Sequence, residues 1–233
     1  MLKFGYNSNR GDRKMNNFKY ILFDLDGTLI DSGTGIINSI KYALTKYGIK
    51  EDNIDKLKSF VGPPLKAQFQ NCYKVSEKEC NELVKLFREY YVPKGIWQNT
   101  LYTGIRELLE ALKQEHKQIM MATSKPETFA KEIAKQHHIE KYFDFIGGSL
   151  MDEKRTTKAE VLQYVLNSNK IKNIDEVVMI GDTKYDIIGA KQFNMTTIGV
   201  TYGYGSKREL KEVGADYIVN SPADLLTILK KLA

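Results

Sequence analysis

Apolar and polar positions divide the chain into three stretches of different rhythm. In the first, Tyr20-Ile21-Leu22-Phe23 is a short unbroken apolar run with β-branched and aromatic members, the pattern of a strand buried on both faces. It runs directly into Asp24-Leu25-Asp26-Gly27-Thr28-Leu29. In the second stretch, residues 34–99, apolar positions recur at helical spacing: Ile36, Ile37, Ile40, Ala43, Leu44 and Tyr47 share a face, and Gly48 stands where a helix would end. Residues 54–60, 65–73 and 75–91 read as three further helices, the second of them opening after Pro63-Pro64 and the third carrying Leu83, Leu86, Phe87 and Tyr90 on one side. No β pattern occurs between Thr34 and Pro93, so this stretch is a helical insert, and the glycines of Asp31-Ser32-Gly33-Thr34-Gly35 suit a hinge at its entrance.

From residue 100 onward, helix and strand alternate. Residues 104–115, 127–136, 157–166, 185–192 and 222–232 carry helical patterns, and 118–122, 143–147, 177–180, 196–200 and 216–219 read as strands. The alternation predicts an α/β fold: a Rossmann-like, doubly wound parallel sheet built from residues 18–33 and 100–233, with 34–99 as an inserted all-helical unit. Residues 1–17 are polar and are expected to be a disordered leader. In such a sheet ligands bind beyond the carboxyl ends of the strands. The polar signatures fall there.

Composition narrows the class. With 42% hydrophobic and 27% charged residues the chain is ordinary for a globular protein. No apolar run approaches the ~20 residues a membrane span needs, and residues 1–17 lack the apolar core of a secretory signal, so a cytoplasmic location without a membrane partner is expected. The net charge of +6 is uneven: the leader carries +3, and residues 34–99 hold eleven Lys or Arg against seven Asp or Glu. A short basic leader without interleaved aromatics does not point to nucleic acid, whereas the balance of the insert suits an anionic substrate. Cys72 and Cys80 are too few for a disulfide framework and read as reduced thiols.

The chemistry concentrates at strand ends. A carboxylate at the mouth of a buried strand loses hydration and needs a cation or N–H donors to stay charged. Asp24 and Asp26 stand in that position, Gly27 permits a sharp turn beside them, and Thr28 can cap or bind. An Asp-Gly hairpin is the alternative, but no second strand pattern follows Gly27. Val177-Val178-Met179-Ile180-Gly181-Asp182 repeats the logic, and Asp186, four residues on, can face the same ion; oxygen-only ligands suit Mg²⁺. At the end of residues 118–122, Thr123 and the N–H groups of Ser124 and Lys125 stand where a helix beginning near Pro126 could receive a phosphate, or where an ordinary cap would form. His116, His137 and His138 read as surface residues, and Gly199, Gly203 and Gly205 miss the dinucleotide spacing and read as loop glycines.

Asp24-Leu25-Asp26-Gly27-Thr28-Leu29 resembles the first motif of the haloacid dehalogenase-like hydrolase superfamily, and the later signatures match its other three motifs in order, so the resemblance runs from about Phe18 to the end. It implies a phosphatase with a helical cap, similar to the phosphoglycolate phosphatase-like members. Such an enzyme hydrolyses a small phosphorylated metabolite (phosphoglycolate-like, sugar phosphate or nucleotide) through an aspartyl-phosphate. The roles carried over are Asp24 as nucleophile, Asp26 as general acid and base, and Thr123 as phosphate-binding hydroxyl, with Gly27, Thr28, Ser124 and Lys125 around the phosphate. Mg²⁺ would be held by Asp24, Asp182 and the Asp26 backbone carbonyl, with Asp186 acting through water or orienting its neighbour. The third motif needs one cation at a helix start. Lys158, 24 residues before Asp182, fits the family's usual spacing, with Arg155 as alternate and without the Lys-Pro dipeptide of many relatives. Val61-Gly62-Pro63-Pro64-Leu65, followed by Lys66, resembles a substrate-facing stretch of the phosphoglycolate phosphatase-like caps. Other outcomes are a phosphomutase of the β-phosphoglucomutase type, a nucleotidase or pyrophosphatase, and a non-catalytic phospho-ligand binding module. A monomer or weak homodimer is expected.

Overall fold

The computed structural model describes residues 18–152 and 154–232; the leader assigned to residues 1–17 lies outside them. Six parallel strands form one sheet in the order β5-β4-β1-β6-β7-β8: β1 is Tyr20–Phe23, β4 Gln118–Pro126, β5 Phe145–Ser149, β6 Val177–Gly181, β7 Thr196–Val200 and β8 Tyr217–Val219. The unbroken apolar run of β1 is explained by its place at the centre, where Leu22 pairs with Met120 of β4 on one side and Met179 of β6 on the other. Ile21 and Phe23 face a core shared with helices α5 (Ile105–Gln114), α6 (Glu127–Gln136) and α10 (Pro222–Lys231). Leu22 faces a second core with α7 (Lys158–Ser168) and α8 (Lys184–Lys191). Each side of the strand is therefore covered, which alternation with polar residues would forbid.

The insert comprises α1 (Gly33–Lys46), α2 (Ile54–Lys58), α3 (Leu65–Tyr73) and α4 (Glu77–Tyr91), then a 3-10 turn at Gly95–Trp97. Cys72 on α3 and Cys80 on α4 are free thiols. Among the described residues, no helix is long and apolar enough to cross a membrane.

Two local expectations are corrected. Gly33, Thr34 and Gly35 do not form a flexible linker; they are the first turn of α1. Gly35 is small for packing, because a Cβ there would lie 2.0 Å from the carbonyl oxygen of Gly95. The chain instead enters and leaves the insert through a two-stranded antiparallel ribbon, β2 (Ile30–Asp31) with β3 (Thr100–Leu101). The second concerns β4, which runs past residue 122 to Pro126, so Thr123, Ser124 and Lys125 belong to the strand. A short helix without a sequence signal, α9 (Lys207–Glu212), also intervenes between β7 and β8.

Candidate active site

The site forms where β1, β4 and β6 end together. The backbone N–H of Asp24 donates to Ile180 O at 2.9 Å, which carries the parallel ladder one residue beyond β1 and fixes the carboxylate at the sheet's edge. Asp182 follows Gly181 at the end of β6, and Asp186 lies in the first turn of α8. Carboxylate oxygens of Asp24, Asp182 and Asp186 lie within 4.8 Å of one another, and all three residues are buried. Three acids this close repel one another unless cations stand among them.

One cation is Lys158, the first residue of α7. Its Nζ is 2.8 Å from Asp24 Oδ1 and 2.8 Å from Asp186 Oδ1, and it donates to Ala122 O at 2.8 Å. Three carboxylates against one ammonium leave a formal charge of −2 in a buried place. Asp24 Oδ1 and Asp186 Oδ1, both buried, share the single Lys158 ammonium. An all-oxygen, doubly negative cluster that one ammonium leaves unbalanced fits a hard divalent cation. Burial pushes the Asp24 carboxyl up to about 6, with Lys158 opposing and Asp186 adding to the rise. Asp182 is raised in the same direction by burial and then by Asp186 and Asp24. Burial works against the charge of Lys158, yet Asp186 and Asp24 hold its ammonium above the ordinary lysine range.

Arg155, the alternate, is directed elsewhere: its Nε donates to Gly148 O, Nη2 pairs with Glu127, and the guanidinium lies 3.6 Å from the centre of the Tyr164 ring.

The remaining acids are held in place by donors from several segments. Thr183 donates to Asp186 Oδ2 from its N–H at 3.0 Å and its hydroxyl at 2.9 Å. Asp182 Oδ1 accepts from Thr28 Oγ1 at 3.3 Å, and Oδ2 accepts from the backbone N–H of Tyr204 at 2.8 Å. Thr28 and Gly27 therefore sit directly on Asp182. Gly27 has φ +80, and a Cβ would lie 2.1 Å from Asp182 Oδ2. Gly203, read from sequence as an ordinary loop glycine, is part of the same cradle, since its Cβ would lie 2.4 Å from that oxygen. Sequence pattern alone gave no hint of it, because the loop after β7 meets Asp182 only across the sheet.

Asp26 is set apart from the cluster. Its Oδ2 is 2.9 Å from Lys125 Nζ, and Oδ1 is buried without a hydrogen bond. Lys125 in turn lies 5.1 Å from the centre of the Tyr91 ring on α4. Burial opposes the charge of Lys125, but Asp26 and Tyr91 hold it above the lysine range. The expected anion site at the N–H groups of Ser124 and Lys125 is modified accordingly: the Lys125 N–H donates to Thr123 Oγ1 at 3.2 Å, and the Lys125 side chain carries the positive charge toward Asp26. Thr123 is buried, while Ser124 lines a cavity of about 540 Å³ that also meets Asp26, Lys125 and Lys66. His116 and His138 are exposed, but His137 is half-buried against Asn99.

Comparison with known proteins places this arrangement in a family. The family model described as haloacid dehalogenase-like hydrolase matches residues 21–200. A 5'-nucleotidase of Pseudomonas aeruginosa is 41% identical over 191 residues, covering 82% of this chain and 86% of that protein. A phosphoglycolate phosphatase of Vibrio parahaemolyticus is 29% identical over 222 residues, covering 91% and 96%. The crystal structure described as a predicted phosphatase from Clostridium acetobutylicum aligns with a TM-score of 0.89 at 44% identity, over 92% of this chain and 99% of that one. Matched over most of its length by sequence and by fold, the chain belongs to the haloacid dehalogenase-like hydrolase family and is an enzyme of the hydrolase class.

Proposed function

We propose that the protein is a Mg²⁺-dependent phosphatase that hydrolyses a small phosphorylated metabolite through an aspartyl-phosphate on Asp24. The observation that carries the reading is the separation of two neighbouring aspartates: Asp24 lies against Lys158 in the acidic cluster, and Asp26 lies against Lys125 toward the cavity. Two acids in different surroundings can take different roles. The named activities of the relatives from Pseudomonas aeruginosa and Vibrio parahaemolyticus are both removals of phosphate from small molecules, which supports the same reaction class here.

In this mechanism an Asp24 oxygen attacks phosphorus as the bond to the leaving oxygen breaks. Asp26, as general acid, gives a proton to that leaving oxygen. Asp26 then takes a proton from water, the water oxygen attacks phosphorus, and the Asp24–phosphorus bond breaks to release inorganic phosphate. Lys158 and the Thr123 hydroxyl neutralise phosphoryl oxygens, while Lys125 orients Asp26. Bound by Asp24, Asp182 and the Asp26 carbonyl, with Asp186 in support, Mg²⁺ would supply further charge neutralisation at the phosphoryl group. The helical insert acts as a cap that excludes bulk water, with Lys66 on its wall facing the substrate.

The test is phosphate release from a panel of phosphoglycolate, sugar phosphates, nucleoside monophosphates and pyrophosphate with Mg²⁺, assayed also for isomerised products. Release that chelator and Asp24→Asn both abolish is the expected result. Isomerisation without release would replace this reading with a mutase.

A further inference from the structure

We propose that Tyr204 is a positioning residue that makes metal binding at Asp182 and the posture of the helical cap a single equilibrium; this rests on the metal-dependent reading above. The chain passes between core and cap twice, through β2 and through β3. Beside that ribbon the two units stand apart. A cleft of about 1130 Å³ has Ile54 and Lys58 of α2 on its cap wall and Lys184 and Tyr185 of α8 on its core wall. Ile54 and Tyr185 are exposed there although both are large and apolar, so a swing of the cap that narrows the cleft gains burial. Such a swing turns at the ribbon, where few residues absorb the change in backbone angles.

One loop of the core, residues 201–205 after β7, touches both crossings. The Tyr204 hydroxyl donates to Asp31 Oδ1 of β2 and accepts from the N–H of Gly33, the first residue of α1, at 2.6 Å. Gly33 has to be small for this contact, because a Cβ there would lie 2.9 Å from the Tyr204 hydroxyl oxygen. The Tyr202 ring meets Tyr102, the residue after β3, edge-on at 5.0 Å and 68°, and its hydroxyl donates to Thr28 O at 3.0 Å. The other side of the same loop lies flush against Asp182. The Tyr204 N–H donates to Asp182 Oδ2 at 2.8 Å, and a Cβ on Gly205 would lie 1.9 Å from the Asp182 carbonyl oxygen. One residue therefore holds an acid of the metal cluster with its backbone and the cap's entry strand with its side chain. A cation that fixes the Asp182 carboxylate fixes the Tyr204 N–H against it, and the ring carries that restraint to Asp31 and Gly33. By reciprocity, a cap held in this posture favours the metal. No step of the mechanism above uses the Tyr204 hydroxyl.

The experiment measures hydrogen exchange of the backbone amide at position 33 by NMR in the full-length protein, metal-free and saturated with Mg²⁺, with calorimetric Mg²⁺ titration of the same samples. In the wild type Mg²⁺ is expected to slow that exchange at least fivefold, the low end of the about 5–150-fold range of typical coupling factors. Tyr204→Phe keeps the N–H on Asp182 and loses only the hydroxyl, so it should still bind Mg²⁺ while the exchange response falls below about twofold. Its dissociation constant for Mg²⁺ should rise by no more than the wild-type exchange factor, which is the reciprocal effect. Gly33→Ala, which displaces the hydroxyl from the other side, should lose the response too, although alanine is the better helix former. In turnover both variants should change KM more than kcat, because the contact sets how the cap meets the substrate and touches no reacting atom. Mg²⁺ bound by the wild type with exchange at position 33 unchanged overturns the coupling and leaves the metal site standing. An undiminished response in Tyr204→Phe overturns the role of Tyr204. Failure of the wild type to bind Mg²⁺ overturns the metal-dependent reading and the coupling with it.

Discussion

Two buried lysines divide the work of the site. Lys158 and Lys125 are each nearly inaccessible, with side-chain exposures of 4% and 6%, and each contacts an aspartate of the first motif. Their surroundings differ. Lys158 stands among acids whose total charge it cannot balance, so its end of the site is built for another cation. Lys125 faces a single carboxylate and an aromatic ring, so its end is balanced and opens onto an apolar cavity. In the proposed mechanism the contrast corresponds to charge neutralisation at one end and leaving-group chemistry at the other, although Asp24 and Asp26 are two residues apart.

The largest effects should come from the aspartates themselves. Asp24→Asn is expected to lower kcat by at least about 10⁴-fold, since it removes the proposed nucleophile. Asp26→Asn should cost about 10²–10⁴-fold, with a smaller loss on p-nitrophenyl phosphate, whose leaving group needs no proton, than on an alkyl phosphate. Equal losses on both esters would break the division between the two acids.

Next in size, the lysines should separate. Lys158→Met strands the acids around it, so its kcat should fall by about 10²–10³-fold, and added Mg²⁺ should raise its melting temperature by more than it raises that of the wild type. Lys125→Met should show a wild-type response of melting temperature to Mg²⁺ and a loss concentrated on alkyl phosphates. A larger metal response in Lys125→Met than in Lys158→Met would reverse the assignment.

A smaller effect concerns pH in chelator. Asp24, raised from 3.8 to about 6 by burial, keeps a proton in the folded state that the unfolded chain has lost. Its contribution to stability is therefore full below about pH 4 and is lost as pH rises through about 6. The Asp182 shift has the same sign. Metal-free protein should melt a few degrees lower at pH 7 than at pH 5, Mg²⁺ should remove the difference, and Asp24→Asn should reduce it. The least disruptive change is Tyr91→Phe, which keeps the ring under Lys125 and should alter kcat/KM by less than about threefold.

How far these features were legible in the sequence varies with the distance between partners. β7 and α6 match the expected bounds, and Asp182 and Asp186 share a site because four residues make one helical turn. Lys158, chosen by spacing and family resemblance, is the cation beside Asp24. The ribbon of β2 and β3 was hidden because two-residue strands carry no periodicity. Helix α9, Lys-Arg-Glu-Leu-Lys-Glu, was hidden because Leu210 is its single buried residue, too few to set a period. Gly33 and Gly35 were misread as a hinge because sequence shows that a residue is small without showing what it touches.

The amino-acid pattern by itself determined the elements, the α/β alternation, the helical insert and the acids at strand mouths, because burial of one face or of both is written locally as a period. Tertiary structure alone decided that Lys125 faces Asp26, that Tyr204 and Gly203 enclose Asp182, and that Arg88 lines the cavity beside Tyr91. The first two pairings cross between strands or loops that are neighbours only in the sheet order, and the last depends on how the insert packs over the core. No local period encodes either relation; each follows from the few arrangements that bury every apolar face at once.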